Sequence, residues 1–215
     1  MNSFFKAGNS KIAKSVLTFT LPTHVCFGAN QQCKNCYAVQ PEKMFKVVRD
    51  KRQKNLELTA TFDFAERAIE QIRESKKKVV RLHESGDFYS ELYALKWITI
   101  AKALPEVRFY TMTKKLKRFE NLQKFAELPN VNVINSITED GGKNYGDWER
   151  VNKLQKDGYF LCPCAIRDWK GCGTDCKMCE HTEKVCFLEH SPAALSAERK
   201  KLGLPKKAKH YSGIN

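Results

Sequence analysis

The stretch that decides the fold is residues 78–88, which read KVVRLHESGDF. Its first half is a short run of β-branched and apolar residues, which indicates a buried strand. Its second half is a polar turn that contains one glycine. A helical pattern follows over 90–104, and a second β-rich run follows over 107–112. Strand, turn, helix and strand in this order predict two parallel strands of one sheet, joined by a helical crossover.

The same alternation continues on both sides of this unit. Further strands are predicted at 15–21, 131–136 and 159–161, and further helices at 37–52, 61–75, 116–128 and 148–156. We therefore expect an α/β fold with a parallel sheet, for which an open doubly wound sheet and a partial (β/α) barrel both fit. In either architecture, ligands bind at the carboxyl ends of the strands. No GxGxxG sequence follows a strand, so a Rossmann dinucleotide site is not expected.

Polar side chains and cysteines follow the predicted strands at the points where the strands end. In chain order they are the cysteines from Cys26 onward, the segment 83–87, Thr111 with Thr113, and Asn135 with Ser136. Because the carboxyl ends of parallel strands meet at one edge of a sheet, these residues predict a single site there. His83 itself is expected to be a packed strand residue.

Nine cysteines fall into two clusters, one between 26 and 36 and one between 162 and 186. The N-terminal segment 1–14 has no apolar run of signal-peptide length, and no segment approaches the ~20 apolar residues of a membrane helix. We therefore expect a cytoplasmic protein without membrane contact. In that reducing compartment, clustered cysteines indicate metal ligation and not disulfides.

The first cysteine group consists of Cys26, Cys33 and Cys36. A structural zinc site normally has four protein ligands, whereas three thiolates can hold a four-iron cluster with one iron left open. The group therefore favours a 4Fe–4S cluster. Zinc remains the alternative, with His24 as a fourth ligand.

The second cysteine group is predicted to be Cys162, Cys172, Cys176 and Cys179, with Cys164 as a substitute for the first of these. It could hold an auxiliary 4Fe–4S cluster, a structural zinc ion, or a cluster with three protein ligands. The roles of Cys164, Cys186 and His190 are left open.

The net charge is +14, and much of the excess lies in lysine-rich runs at 76–78, 114–118 and 199–210. A net positive charge of this size is compatible with nucleic acid or another polyanion as a partner. A solvated basic surface is the alternative for each run.

The first cysteine group follows the first strand and ends in Cys33-Lys-Asn-Cys36-Tyr37, which resembles the radical S-adenosylmethionine superfamily. The chain is most similar to the phage "gene product 88" family. That resemblance covers Gly8-Asn-Ser-Lys11, the stretch 26–38, RLHESGDFYS at 81–90, Tyr110-Thr111 and the cysteine-rich end with His190. The chain departs from the superfamily in having six residues between its first two cysteines, where three are commonest.

The resemblance implies a partial (β/α) barrel over 1–160, with the iron–sulfur and S-adenosylmethionine site near its start. A cysteine-rich metal-binding segment and a basic tail would occupy 161–215. An acidic turn would receive the ammonium group of S-adenosylmethionine through Glu84 or Asp87, and Gly86 would allow close approach. The implied cofactor-binding residues are Tyr37, Glu84, Ser85, Gly86, Asp87, Thr111, Asn135 and Ser136.

The implied activity is reductive cleavage of S-adenosylmethionine to a 5′-deoxyadenosyl radical, which abstracts hydrogen from an unidentified substrate such as nucleic acid, a nucleotide or a protein. A flavodoxin- or ferredoxin-like electron donor is then expected, and a phage-encoded enzyme would act in the host cytoplasm. The spacing Cys172-x3-Cys176-x2-Cys179 is also the superfamily's commonest, so the second group is an alternative radical centre. A zinc-binding, nucleic-acid-binding protein without enzymatic activity and an iron–sulfur electron carrier are the competing hypotheses. No catalytic residue is assigned.

Overall fold

The computed structural model describes residues 3–9, 12–26, 36–135, 153–162, 172, 176–182, 184–186 and 200. The strands are β1 (Lys6–Ala7), β2 (Val16–Thr18), β3 (Val79–Arg81), β4 (Arg108–Thr113), β5 (Val131–Asn135), β6 (Phe160–Leu161) and β7 (Val185–Cys186). The helices are α1 (Val39–Met44), α2 (Lys46–Ala60), α3 (Phe64–Ser75), α4 (Glu91–Ala103), α5 (Glu120–Ala126) and α6 (Met178–His181), and a 3-10 turn spans Thr23–Val25. None of the helices in these ranges has the length and apolarity needed to cross a bilayer.

The main sheet has five strands in the order β1-β2-β3-β4-β5. The β1–β2 pair is antiparallel, and the three remaining pairs are parallel. The prediction of an α/β protein with a parallel sheet is therefore confirmed. Strand order follows chain order, so each parallel strand lies beside its predecessor through a crossover that contains a helix.

One face of this sheet carries the crossover helices and the main core. Each of the strands β2 to β5 contributes an apolar side chain to a cluster that also contains residues of α3, α4 and α5. These side chains are Leu17, Val80, Phe109 and Val133. Helix α4 is central to this layer, because its Trp97 is fully buried. Burying a side chain of this size stabilises a fold by about 2–3 kcal/mol. Because α3, α4 and α5 share one face, the described sheet is singly wound.

The opposite face carries a polar row that crosses the strands. Pairing aligns Thr18 with Arg81, Arg81 with Tyr110, and Tyr110 with Asn132. Paired residues on neighbouring strands present their side chains to the same face of a sheet. Their apolar neighbours on this face, Val16 and Ile134, belong to two smaller clusters that exclude the crossover helices.

Part of the cysteine-rich segment covers this second face. Cys172 forms a parallel β-bridge with Ile12, and its carbonyl accepts a hydrogen bond from the Ala13 N–H at 2.8 Å. The Asn132 amide donates to the carbonyls of Cys179 and Thr182, both at 2.9 Å. The segment thus returns from the end of the chain to the first β-hairpin. The proposed boundary at residue 160 stays a prediction.

Three predicted elements differ from the structure. The helix predicted over 37–52 is two helices, because Phe45 is extended with φ −117° and ψ 111°. Helix α5 begins at Glu120 and not at 116, since the preceding turn is bonded to Asp87 through the Lys114 N–H. The strand predicted at 159–161 pairs with β7 in a separate sheet. Of the helix predicted over 148–156, residues 153–156 are helical and the others lie outside the described residues.

Candidate functional site

The predicted acidic turn lies directly after β3 and is bonded to the end of β2. The Leu21 N–H donates to the Ser85 carbonyl at 2.9 Å, and the Ser85 hydroxyl donates to the Leu21 carbonyl at 2.8 Å. Gly86 has φ +81°, and a Cβ there would lie 2.5 Å from the Leu21 Cβ. Only glycine satisfies both conditions without strain, because it has no Cβ. Ser85 and Gly86 therefore shape the turn by packing it against Leu21.

Glu84 accepts hydrogen bonds from two distant parts of the chain. Its Oε1 accepts a hydrogen bond from the Asn9 amide at 2.6 Å, and its backbone carbonyl accepts one from the Tyr37 hydroxyl at 2.6 Å. Its other carboxylate oxygen accepts no hydrogen bond from the part of the chain that the structure describes. The Tyr37 ring is 59% exposed. Glu84 thus joins the first hairpin to the residue that follows Cys36.

Asp87 has a different environment from Glu84. It is 7% exposed, and it accepts hydrogen bonds from the Thr113 hydroxyl at 2.7 Å and from the Lys114 N–H at 3.2 Å. Burial raises the pKa of this carboxyl and outweighs the opposing effect of its hydrogen bonds. Asp87 therefore joins the turns after β3 and β4, and Glu84 is the more accessible of the two predicted ammonium partners.

Two of the remaining predicted cofactor residues, Thr111 and Asn135, lie in the neighbouring strands β4 and β5. Thr111 is fully buried, and its hydroxyl lies 3.4 Å from the Leu82 carbonyl and 3.3 Å from Nδ1 of His83. Asn135 ends β5 in register with Thr113 and is partly buried. Ser136 lies outside the described residues. His83 is buried, as expected, and its Nε2 lies 2.9 Å from the Tyr93 hydroxyl.

The first cysteine group is described at its two ends. Cys26 follows the 3-10 turn, Cys36 lies just before α1, and both are partly buried. Cys33 lies outside the described residues. His24, the alternative zinc ligand, is exposed.

The flanks of this group are held together by Glu42 of α1. Its carboxylate accepts hydrogen bonds from the Thr23 N–H at 3.0 Å and from the Thr23 hydroxyl at 3.1 Å. Arg52 donates to the same carboxylate and to the Ala38 carbonyl, both at 2.7 Å. Burial raises the pKa of Glu42, but the hydrogen bonds from Arg52 and Thr23 outweigh it and hold the pKa below its ordinary value. The chain on either side of Cys26 and Cys36 is thereby fixed.

The second cysteine group lies on the polar face of the sheet. Cys162 is buried beside Ile134, while Cys172 and Cys179 pack against the cluster that contains Tyr110. Cys172 and Cys176 form a β-bridge. Cys186 lies in β7, and Cys164 and His190 are outside the described residues.

Within the described ranges, no three side chains of the types His, Cys, Asp and Glu lie close enough together to hold a metal ion. Cys33, Cys164 and His190 lie outside these ranges, so both metal centres stay predictions. The donor chemistry of the first group fits iron, because thiolates are the ligands of iron–sulfur clusters.

Arg81 is a residue of this region that the sequence reading did not select. It lies in the middle of the polar row, between Thr18 and Tyr110. Burial lowers the pKa of its guanidinium, but nearby acidic groups outweigh burial and raise it. These groups are Tyr37, Tyr110, Glu84 and Cys179. The sequence could have indicated Arg81, because it is a cation within a strand. Its position alternates with the buried residues Val80 and Leu82.

The fold and this edge define a class: a mixed α/β protein with a mostly parallel sheet, a cysteine group at the carboxyl end of its strands, and a second cysteine group over its polar face. The chain belongs to the gene product 88 family, whose model matches residues 3–159. The resemblance to that family is thus confirmed over these residues, whereas the resemblance in the cysteine-rich end and the one to the radical S-adenosylmethionine superfamily stay predictions. Comparison with the curated proteins finds no match, and comparison with the solved structures finds none either.

Proposed function

We propose that this protein is a radical S-adenosylmethionine enzyme. The observation that carries the proposal is the hydrogen bond from the Tyr37 hydroxyl to the Glu84 carbonyl at 2.6 Å. This contact places the end of a three-cysteine sequence beside the acidic, glycine-containing turn of a parallel strand. The proposed activity requires the three-cysteine sequence and the acidic turn to be neighbours.

The sheet supports a finer proposal about architecture. Strand order follows chain order, and α3, α4 and α5 lie on one face. These are properties of a (β/α) barrel segment, whereas a doubly wound sheet has helices on both faces. We propose that β2 to β5 form part of such a barrel, with the polar row on its inner side.

Each residue of the site has a role in this proposal. Cys26, Cys33 and Cys36 would hold a 4Fe–4S cluster. Glu84 would receive the ammonium group of S-adenosylmethionine through a charge-assisted hydrogen bond, since one of its carboxylate oxygens is left over by Asn9. When bound, this cofactor pair supplies reductive cleavage and hydrogen abstraction, while the protein provides binding, orientation and exclusion of water.

The other residues of the edge would position the site. Glu42 and Arg52 fix the flanks of the cysteine group. Asp87 and Thr113 hold two neighbouring turns together. The second cysteine group would hold an auxiliary cluster or zinc. An electron donor of flavodoxin or ferredoxin type and a cytoplasmic location remain part of the proposal, and the +14 charge supports a polyanionic substrate or partner.

The test is anaerobic purification of the full chain, with measurement of iron, sulfide and zinc. Dithionite and S-adenosylmethionine are then added, and 5′-deoxyadenosine is quantified. We expect iron and sulfide in the protein and formation of 5′-deoxyadenosine. Cys33→Ala should abolish this product, because loss of one of three ligands should release the cluster.

His24→Ala is the matched variant for the competing metal. In an iron site with three thiolates, it leaves iron content and cleavage unchanged. In a closed zinc site, it removes the fourth ligand and lowers zinc content. A colourless protein that contains only zinc would support the nucleic-acid-binding alternative, and an iron protein that neither binds nor cleaves S-adenosylmethionine would support the electron carrier.

A further inference from the structure

On the polar face of the sheet, the guanidinium of Arg81 forms no ion pair with a carboxylate of the described residues. Among the described residues, the one polar contact of the Arg81 side chain is from Nη2 to the Met112 sulfur at 4.0 Å. A guanidinium offers five N–H donors in a planar fork that matches carboxylate and phosphate. A neutral thioether at this distance is a weak acceptor, so most of this donor capacity is unused.

Glu84, which follows β3, does not occupy that fork. The charge of Glu84 is one of the causes that raise the pKa of Arg81. However, its Oε1 is bound by the Asn9 amide at 2.6 Å, and it forms no ion pair with Arg81. By contrast, the buried Arg52 of α2 is paired with Glu42 at 2.7 Å. Arg81 is therefore a partly buried cation without the ion pair that Arg52 has.

The neighbours of Arg81 on the sheet are buried. Tyr110 flanks it on β4 and Thr18 flanks it on β2, and both of these are buried. Cys172 and Cys179 pack over Tyr110 from above the sheet. An anion bound here would lose much of its competing water, which strengthens a charge-assisted hydrogen bond.

We propose that Arg81 binds an oxyanion, either a phosphoryl or a carboxylate group, of the substrate on the polar face of the sheet. The word "substrate" rests on the proposed function, whereas the binding of an oxyanion does not. The site lies one row inside the strand ends at which Glu84 and the first cysteine group lie. The substrate would thus be held between the first cysteine group and the segment that contains Cys172 and Cys179.

The experiment uses the full chain, with inorganic phosphate and acetate as separate probes in equilibrium dialysis. We expect one bound phosphate or one bound acetate per chain, and the better probe identifies the source of the oxyanion. Arg81→Gln should weaken binding about 10- to 100-fold, as expected for loss of a charge-assisted contact. Arg81→Lys should retain part of the affinity.

Arg108→Gln is the matched control. Arg108 lies on β4 of the same sheet, is also partly buried, and donates to the Pro129 carbonyl at 3.0 Å. This variant changes the net charge equally, so it should bind the probe as the wild type does. Equal loss in both variants would mean non-specific attraction to a basic protein and would overturn the proposal.

A second measurement needs no variant. Phenylglyoxal modifies arginine side chains, and peptide mapping shows which ones react. Phosphate or acetate should protect Arg81 at least about 10-fold while leaving Arg49 and Arg108 unprotected. Protection by S-adenosylmethionine without protection by either probe would place Arg81 in the cofactor site and overturn the proposal. Absence of 5′-deoxyadenosine in the separate cleavage assay would overturn the proposed function and leave oxyanion binding intact.

Discussion

Glu42 accepts hydrogen bonds from both the backbone N–H and the hydroxyl of Thr23, which lies 19 positions earlier in the chain. The first cysteine group occupies the interval between these two residues. The geometry of its flanks is therefore set by a carboxylate that is not among the predicted metal ligands. Arg52 completes the arrangement by holding Glu42 and the Ala38 carbonyl together.

Glu42→Ala should destabilise the protein by about 2–3 kcal/mol, because it leaves the buried Arg52 and the Thr23 donors with fewer partners. The measurement is the urea midpoint, with the slope compared to confirm that both variants unfold in the same way. Glu57→Ala, on the exposed side of α2, is the control and should change the midpoint little. Equal shifts in the two variants would show that Glu42 has no special role.

Gly86→Ala should cost about 3 kcal/mol or more, since it combines a left-handed backbone with a direct clash against Leu21. Gly158→Ala is the matched variant. Gly158 has nearly the same φ, +83°, but the nearest atom to a Cβ there is the Lys184 Nζ at 3.9 Å. It should cost only about 1–2 kcal/mol, the strain of the backbone alone. Thermal or urea unfolding compares the two, and a larger loss for Gly158→Ala would contradict the packing argument.

Glu84→Gln and Asp87→Asn should separate cofactor binding from stability. Glu84→Gln should weaken S-adenosylmethionine binding about 10-fold or more with an unchanged urea midpoint, because the carboxylate charge faces the proposed cofactor. Asp87→Asn should lower the midpoint, because an amide cannot accept all the hydrogen bonds that this buried carboxyl accepts. Dialysis against labelled S-adenosylmethionine and urea unfolding provide the two readouts. The reverse pattern would reassign the ammonium partner to Asp87.

Asn132→Ala should loosen the cysteine-rich segment without unfolding the sheet. The variant removes two hydrogen bonds to the carbonyls of Cys179 and Thr182, worth about 1 kcal/mol each. Hydrogen exchange by mass spectrometry should show faster exchange over 176–186 and little change in α4. Asn130→Ala is the control, because its amide donates to the carbonyls of Ala101, Leu104 and Val107 and should loosen α4 instead. Identical exchange profiles would refute this division.

His83 should make stability fall with acidification. Burial lowers its pKa from the ordinary value of 6.5 to about 3. Between these two values the unfolded chain binds a proton that the folded chain does not, so the free energy of unfolding decreases as pH falls. The decrease is at most about 1.4 kcal/mol per pH unit.

The check on His83 is the difference in unfolding free energy between the wild type and His83→Asn, measured from pH 7 to pH 4. Asparagine tolerates the left-handed backbone at this position, where φ is +56°. The variant should show the flatter pH profile, and contributions from Asp87 and Glu42 cancel in the comparison. Parallel profiles would mean that His83 titrates normally.

Local pattern was sufficient to predict the framework. Strands β2 to β5 and helices α3 and α4 were expected near their observed positions, because alternation and helical periodicity extend through each of them. Strand β1 has only two residues, which is too short for a period to be visible. The interruption at Phe45 carries neither glycine nor proline, so no local signal marks it.

For the site as well, local sequence predicts the candidate residues but not the contacts that distinguish them. The resemblance to the radical S-adenosylmethionine superfamily implied Glu84 and Asp87 as equivalent candidates, because both are acidic residues of one turn. Their difference arises from contacts with Asn9 and Thr113, which lie 75 and 26 positions away. Arg81 was passed over for the same reason, since its surroundings depend on strand pairing and on the return of Cys172 to the first hairpin. Pairing of that kind is a property of the assembled chain.

The hydrogen bond between Ala13 and Cys172 also sets an order of events during translation. All five strands of the main sheet have been synthesised by residue 135, whereas the described residues of the cysteine-rich segment that pack on its polar side follow from 160 onward. At roughly 5–20 residues per second, a ribosome leaves that side uncovered for seconds. A nascent chain thus has an interval in which this side of the sheet is open to solvent, before the late-made segment packs on it.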